Sequence, residues 1–150
     1  MSLQFEITTP ERIVLKREVD SVTVPTASGE ITVLPHHVPL VSVLQSGMIT
    51  LRRGAEEEYL AVSGGFLEVG VGGRVRALAD TAERAEELDM KKVEEARKKA
   101  EEALGEARRA ADVSSVAAVA SLERELARLK VARRYRGKAN RTISEMTDRQ

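Results

Sequence analysis

An antiparallel β-sandwich followed by a two-helix hairpin is the fold class this sequence predicts, and three observations predict it. All four prolines (10, 25, 35, 39) fall in the first 39 residues, and eight of the ten glycines fall by Gly73. The first half is a series of short β-rich runs between turn signals. The second half is nearly free of Gly and Pro, dense in charge, and carries a helical period. These shifts divide the 150 residues into a sandwich over 1–83, a hairpin over 84–136 and a flexible tail over 137–150.

In the first half, Leu3, Phe5 and Ile7 alternate with polar neighbours, "RIVLK" follows the Pro10 turn, and "VDSVTVP" sets Val22 and Val24 on one face. The runs "EITVL", "VPLVSVL", "MITLRR", "EEYLAVS", "FLEVGV" and "RVRALA" follow. About nine or ten strands at this spacing make an antiparallel sandwich or barrel with short hairpins. Gly64-Gly65 and Gly72-Gly73 fit positive-φ positions, and Phe5 and Phe66 are assigned to the core.

In the second half, Met90, Val93, Ala96, Ala100, Ala103/Leu104, Ala107 and Ala110/Ala111 recur three or four apart, one apolar stripe of a helix with Asp89 as its N-cap. Glu94 with Lys98, Glu95 with Lys99, and Lys98 with Glu102 stand at helical pair spacing. "ADVSS" breaks the stripe, with Ser114 or Ser115 as the next cap. A second helix then aligns Val116, Val119, Leu122, Leu126 and Leu129 and is expected to end at Gly137. A buried alanine contributes about a quarter to a half of the roughly 1.5–3 kcal/mol expected of a leucine or valine. The expectation is a hairpin of high helix propensity that is weakly held to its neighbour.

Composition narrows the function classes. Twenty-four basic and 24 acidic residues cancel, so no overall field draws the chain to nucleic acid or anionic lipid, and 3% aromatic residues leave no stacking platform. No cysteine is present, which excludes disulfides and thiolate metal sites. No apolar run approaches the ~20 residues of a membrane span. "MSLQFEITTP" carries no apolar signal segment, so a cytosolic location is the starting expectation.

The stretch "GEITVLPHHVPLVSVLQSG" holds the one tempting catalytic pair, His36-His37. Adjacent strand residues point to opposite faces, and no third histidine or cysteine exists to complete a metal site, so no metal is expected. A nucleophile elbow or phosphate loop is missing as well; "SGGFLEVGVGG" lacks the P-loop lysine. Pro35 and Pro39 fit rigidifiers of a presented loop and edge. The acid-free run from Arg128 through Lys130, Arg133, Arg134, Arg136 and Lys138 to Arg141 reads as a solvated helix end or as a docking stripe for an acidic protein segment.

Taken in order, "TPERIVLKREVDSVTVPTASGE", "VLPHHVPLVSVLQSGMITLR", "YLAVSGGFLEV", "ALADTAERAEELD" and the Ala-rich charged hairpin resemble the epsilon subunit of the F-type proton-translocating ATP synthase, whose mitochondrial counterpart is called delta. The resemblance covers about residues 1–136 and implies a non-catalytic central-stalk rotor part. Its sandwich would clamp the gamma subunit through Thr9, His37 and Ser42, with Val38 and Val41 as further contacts, and meet the c-subunit ring through Ser28, Gly29, Glu30 and Ile31. His36 stands where the family usually has glycine, and Thr32 where glycine is common.

In this family the hairpin lies folded on the sandwich or extends along gamma into the catalytic alpha/beta head, where it hinders ATP hydrolysis. Arg128, Arg133 and Arg134 would then meet an acidic segment of a catalytic subunit. Some members bind ATP in the folded hairpin through Ile/Leu-Asp-x-x-Arg-Ala. Here "LDMKKV" keeps Leu88 and Asp89 but has Lys92 and Val93, and lysine lacks arginine's bidentate fork. The resemblance thus implies no resident cofactor, with ATP only as a regulatory ligand at Asp89, Lys92 and Lys99. Membrane contact would come only through the complex, at the cytoplasmic face of the bacterial plasma membrane. Two other classes compete: a stand-alone sandwich adaptor with a helical dimerisation arm, and a small metal-dependent enzyme using His36 and His37.

Overall fold

A computed structural model describes residues 1–109 and 115–147. Its strands are β1 (Leu3–Thr8), β2 (Ile13–Val19), β3 (Ser21–Thr26), β4 (Gly29–Val33), β5 (Leu40–Val43), β6 (Gly47–Arg53), β7 (Glu56–Val69) and β8 (Arg74–Arg84). A 3-10 turn at Ala85–Glu87 leads to α1 (Met90–Arg109) and α2 (Ser115–Thr147). Among the described residues there are eight strands, because "EEYLAVS" and "FLEVGV" are one strand of 14 residues. Gly64 (φ 57°) and Gly65 (φ 107°) bend it without a hairpin, and β8 stays paired along both arms.

The strands bond in the order β2-β1-β8-β7-β6-β3-β4, with β5 added against the second arm of β7. One pairing departs from the antiparallel expectation: β1 runs parallel to β8, with Phe5 opposite Val75 and Ile7 opposite Ala77. The bend at Gly64-Gly65 folds this network into two layers. Leu3, Phe5, Ile7, Leu67 and Val75 from one layer meet Val22, Val24, Val33, Ile49 and Leu60 from the other in one buried core. Period-two alternation put these side chains there.

On the outer surface of β6 and the first arm of β7, a second and much smaller cluster joins Tyr59, Ala61 and Ala85 to Val131 of α2, flanked by Met48 and Leu88. Here α2 docks; α1 lies against α2 and buries Val93, Ala100, Leu104 and Ala107. Arg133 of α2 is 3.9 Å from Glu94 of α1, so the later half of α2 runs back beside the start of α1.

Several helical expectations change. The face expected from Val116 to Leu129 is split: Val116 and Leu126 are exposed, while Glu125, Ala127, Leu129, Val131 and Ala132 are buried. This helix has two neighbours, α1 and the sandwich, so its burial covers more than one stripe. The ion pair within α1 is Arg97–Glu101 at 2.7 Å, and Glu94 reaches across to Arg133 instead of pairing with Lys98. Gly137 does not end α2, and the segment expected as a tail is helical as far as Thr147. One glycine costs a helix only about 1 kcal/mol against alanine, and Lys138, Ala139 and Arg141 beyond it favour continuation. Of the break expected at 111–115, residues 111–114, Ser114 included, lie outside the described residues, and Ser115 is the first residue of α2.

Candidate docking surfaces

The outer surface of the other layer is open. Val43 of β5 stands opposite Phe66 of β7, Phe66 opposite Leu78 of β8, Leu78 opposite Thr8 of β1, and Thr8 opposite Ile13 of β2. Val43, Phe66, Leu78 and Ile13 are each about half exposed, Phe66 at 56%. Phe66 is therefore a surface residue and not a core one. Leu67 and Val69 take the inward phase of β7, which leaves Phe66 and Glu68 facing out. That signal was present in "FLEV" and could have found it.

Along the next rung lies a charged row: Val41 opposite Glu68, Glu68 opposite Arg76, Arg76 opposite Glu6, and Glu6 opposite Lys16. Lys16 sits 3.2 Å from Glu6, and its hydrogen bond, opposed by some loss of hydration, holds the Glu6 carboxyl below its ordinary range. An apolar row beside a polar one is the surface of a docking face rather than of a catalytic cleft.

The sequence-predicted residues distribute around this face. Thr9 closes the end of β1, where its amide and hydroxyl both donate to the Arg12 carbonyl. Ser42 is on β5 between Val41 and Val43 but takes the opposite phase, across from Leu67, and is half-buried. The turn at Ala27–Ser28 and the start of β4, which carry Ser28, Gly29, Glu30 and Ile31, approach the same end of β5, because the Ala27 amide donates to the Val43 carbonyl at 3.0 Å. Thr26 braces the turn by donating to the Gly29 carbonyl at 2.6 Å, and Gly29 takes φ 111°. Ser28, Gly29 and Glu30 are exposed, and Ile31 is partly buried.

His37 is at the far end of β5, in a cleft of about 480 Å³ lined by Met1, Pro35, Val38 and the Gly70–Gly73 turn. Its Nδ1 is 2.7 Å from the Val38 carbonyl oxygen. His36 adopts φ 68°, a left-handed conformation that histidine rarely takes. The loop thus keeps the backbone a glycine would favour while carrying a side chain. Among the described residues no group of three or more His, Cys, Asp or Glu could hold a metal ion.

The hairpin residues expected to reach outside the chain are partnered within it. Arg128 Nε donates to Glu83 of β8 at 3.0 Å, and its Nη1 to Glu125 at 2.8 Å. Burial works against the Arg128 charge, but Glu125 and Glu83 together more than offset it and raise the guanidinium's affinity for its proton. Arg134 lies 5.8 Å from the Tyr59 ring centre. Asp89 is the helix cap: its Oδ1 accepts from the Lys91 and Lys92 amides at 3.0 and 3.3 Å. Lys92 and Lys99 are exposed on α1, seven residues apart. Glu83 and Tyr59, which receive these cations, were missed by sequence reasoning, since neither belongs to a recognisable motif.

A two-layer sandwich with one outer surface clasped by a helical pair and the other left apolar defines a protein that works by docking. Residues 2–85 match the family described as ATP synthase, Delta/Epsilon chain, beta-sandwich domain. The ATP synthase epsilon chain of Moorella thermoacetica is 50% identical over 132 residues, 87% of this chain and 96% of that one. That of Herpetosiphon aurantiacus is 42% identical over 138 residues, 92% of this chain and 99% of that one. The chain belongs to the ATP synthase epsilon family. A chain in the Euglena gracilis mitochondrial ATP synthase, in its OSCP/F1/c-ring assembly, superposes with a TM-score of 0.73 at 25% identity, over 87% of this chain and 81% of that one. A second, from the central stalk and c-ring of the Tetrahymena thermophila enzyme, shares the fold at TM-score 0.50 and 15% identity, over 58% of this chain and 69% of that one.

Proposed function

We propose that this chain is the non-catalytic central-stalk subunit that couples rotation of the c-ring to gamma and the catalytic head during ATP synthesis. It works as a peripheral part of the complex at the cytoplasmic face of a bacterial plasma membrane. The outward row Val43, Phe66 and Leu78 carries this reading: an apolar patch beside charged rungs, with Thr9 next to it at the end of β1 and the half-buried Ser42 behind it on β5, suits a permanent partner such as gamma. Ser28, Gly29 and Glu30, exposed where the turn enters β4 at the same end of β5, with the partly buried Ile31 beside them, suit the polar loops of the c-ring. The chain contributes no catalytic residue; His36 serves the loop, and His37, in the cleft at the other end of β5, adds to the gamma-facing surface.

The hairpin acts as a brake on hydrolysis. Its docking cluster is separate from the sandwich core and holds only two large side chains well buried, Tyr59 and Val131, so release leaves the core intact. On release, Arg128, Arg133 and Arg134 exchange their internal partners for an acidic segment of the catalytic head. ATP as a regulatory ligand would use Asp89, Lys92 and Lys99. Because the Asp89 carboxylate already serves two helix amides, we infer weak binding at this corner, which equilibrium dialysis with ATP checks.

The decisive experiment replaces Phe66 with Glu and adds the variant to ATPase depleted of its native subunit. Loss of gamma binding and of ATP-driven proton pumping, with thermal stability unchanged, is expected. Full binding by the Phe66→Glu chain would refute this docking face.

A further inference from the structure

We propose that the stretch of α2 from Arg134 to Lys138, spanning Gly137, is a latch that sets how firmly the hairpin lies on the sandwich. The inference rests on the movable hairpin described above and names what regulates it.

Tyr59 is buried to 4% exposure although it lies on the outer surface of β7, and α2 covers it. The Arg134 guanidinium is 5.8 Å and the Lys138 ammonium 5.9 Å from the Tyr59 ring centre, both within reach of the ring's negative face. Lys138 also donates to the Glu57 carbonyl at 2.7 Å. Arg134 and Lys138 are four residues apart on one helix face, and Glu57 and Tyr59 are two apart on one strand face. The two periods place both cations over one ring. The Tyr59 hydroxyl donates to the Glu57 carboxylate, which fixes the ring's orientation.

Helix placement supports the assignment. Arg133 lies 3.9 Å from Glu94, one turn into α1, and α2 continues to Thr147, so its last turns run past the start of its partner.

Gly137 sits between the two cations. Lys138 is presented to Tyr59 only while the helix continues through Gly137, where helix formation is about fivefold less favourable than at an alanine. A side chain at Gly137 would meet nothing within 4 Å. The latch is therefore set weak at one replaceable position, and helix continuity controls it.

The test uses the full chain carrying Tyr135→Phe. With two tyrosines and no tryptophan in the sequence, Tyr59 then becomes the sole reporter. Acrylamide quenching of Tyr59 and amide exchange of α1 report hairpin opening, and amide exchange of β3 and β6 reports the sandwich. Arg134→Gln with Lys138→Gln should raise the opening equilibrium about tenfold, the loss of two cation–ring contacts and one charged hydrogen bond, with the sandwich unchanged. Gly137→Ala should lower opening about fivefold, and adding Lys138→Gln should remove that gain. The exposed Lys130→Gln is the control.

A double variant whose Tyr59 stays as shielded as in the parent overturns the latch. So does a Gly137→Ala gain that survives Lys138→Gln. Hydrolysis by ATPase rebuilt with each variant separates latch from brake: altered opening with unaltered hydrolysis retains the latch and removes the brake.

Discussion

Arg128 of α2 and Glu83 of β8 meet at 3.0 Å, and the same guanidinium holds Glu125 at 2.8 Å. Glu125 is only 3% exposed, so Arg128 joins the hairpin to the sandwich and neutralises a buried carboxylate at once. Replacing Arg128 by Gln should weaken hairpin docking by about 1–2 kcal/mol, discounted from a fully buried pair because Arg128 and Glu83 stay partly wet. Glu83→Gln should cost less, since Glu125 keeps its partner. Equal exchange protection of α1 in Arg128→Gln and the parent would contradict this.

Glu57 links the strand to the latch. The Tyr59 hydroxyl, and then Arg52, hold its carboxyl below the ordinary range against some burial. A carboxyl lowered on folding contributes stability that is present above its unfolded pKa and disappears as pH falls through the folded value. Stability should therefore drop on acidification below the ordinary glutamate range, and Glu57→Gln should flatten that dependence. An unaltered acid limb in a urea-midpoint series would show that Glu57 is not responsible.

Gly65 tests the bend in β7. A Cβ there would lie 1.9 Å from the Leu78 carbonyl oxygen at φ 107°, backbone against backbone. Gly65→Ala should cost more than about 3 kcal/mol or prevent folding, whereas Gly72→Ala, at φ 80° with nothing within 4 Å, should cost about 1 kcal/mol. Similar melting temperatures for the two variants would argue against a bend imposed by contact.

His36 carries the opposite sign. A left-handed backbone costs an ordinary residue about 1–2 kcal/mol, while glycine loses about 0.5–1 kcal/mol in unfolded-state entropy. His36→Gly, at the φ 68° position, should therefore stabilise the chain by about 0.5–1 kcal/mol, a rise of roughly 2 °C in melting temperature. A lower melting temperature would mean that the imidazole contributes more than its backbone costs.

Much of the fold was legible because alternation and helical period are local. The inward set Leu3, Phe5, Ile7, Val22 and Val24 follows from period two, and Asp89 caps α1 as its type and place imply. The tight turn at Ser28–Gly29 was readable from its residues too, with Gly29 at φ 111°. Phe66 was misplaced although its phase was readable, because a large aromatic draws assignment to the core before its neighbours are counted.

By itself, the sequence determined which residues alternate, where the β half gives way to helix, and a hairpin seam made mostly of alanine. Each of these depends on residues within a few positions of one another. Only the tertiary structure decided that β1 runs parallel to β8, that one outer surface is covered while the other keeps an apolar row, and that Arg128, Arg134 and Lys138 answer to Glu83, Tyr59 and Glu57. Those partners are 45 to 81 residues apart in the chain. Their meeting depends on how β7 bends and where α2 lands, and a cation's partner at that distance leaves no periodic trace in the sequence.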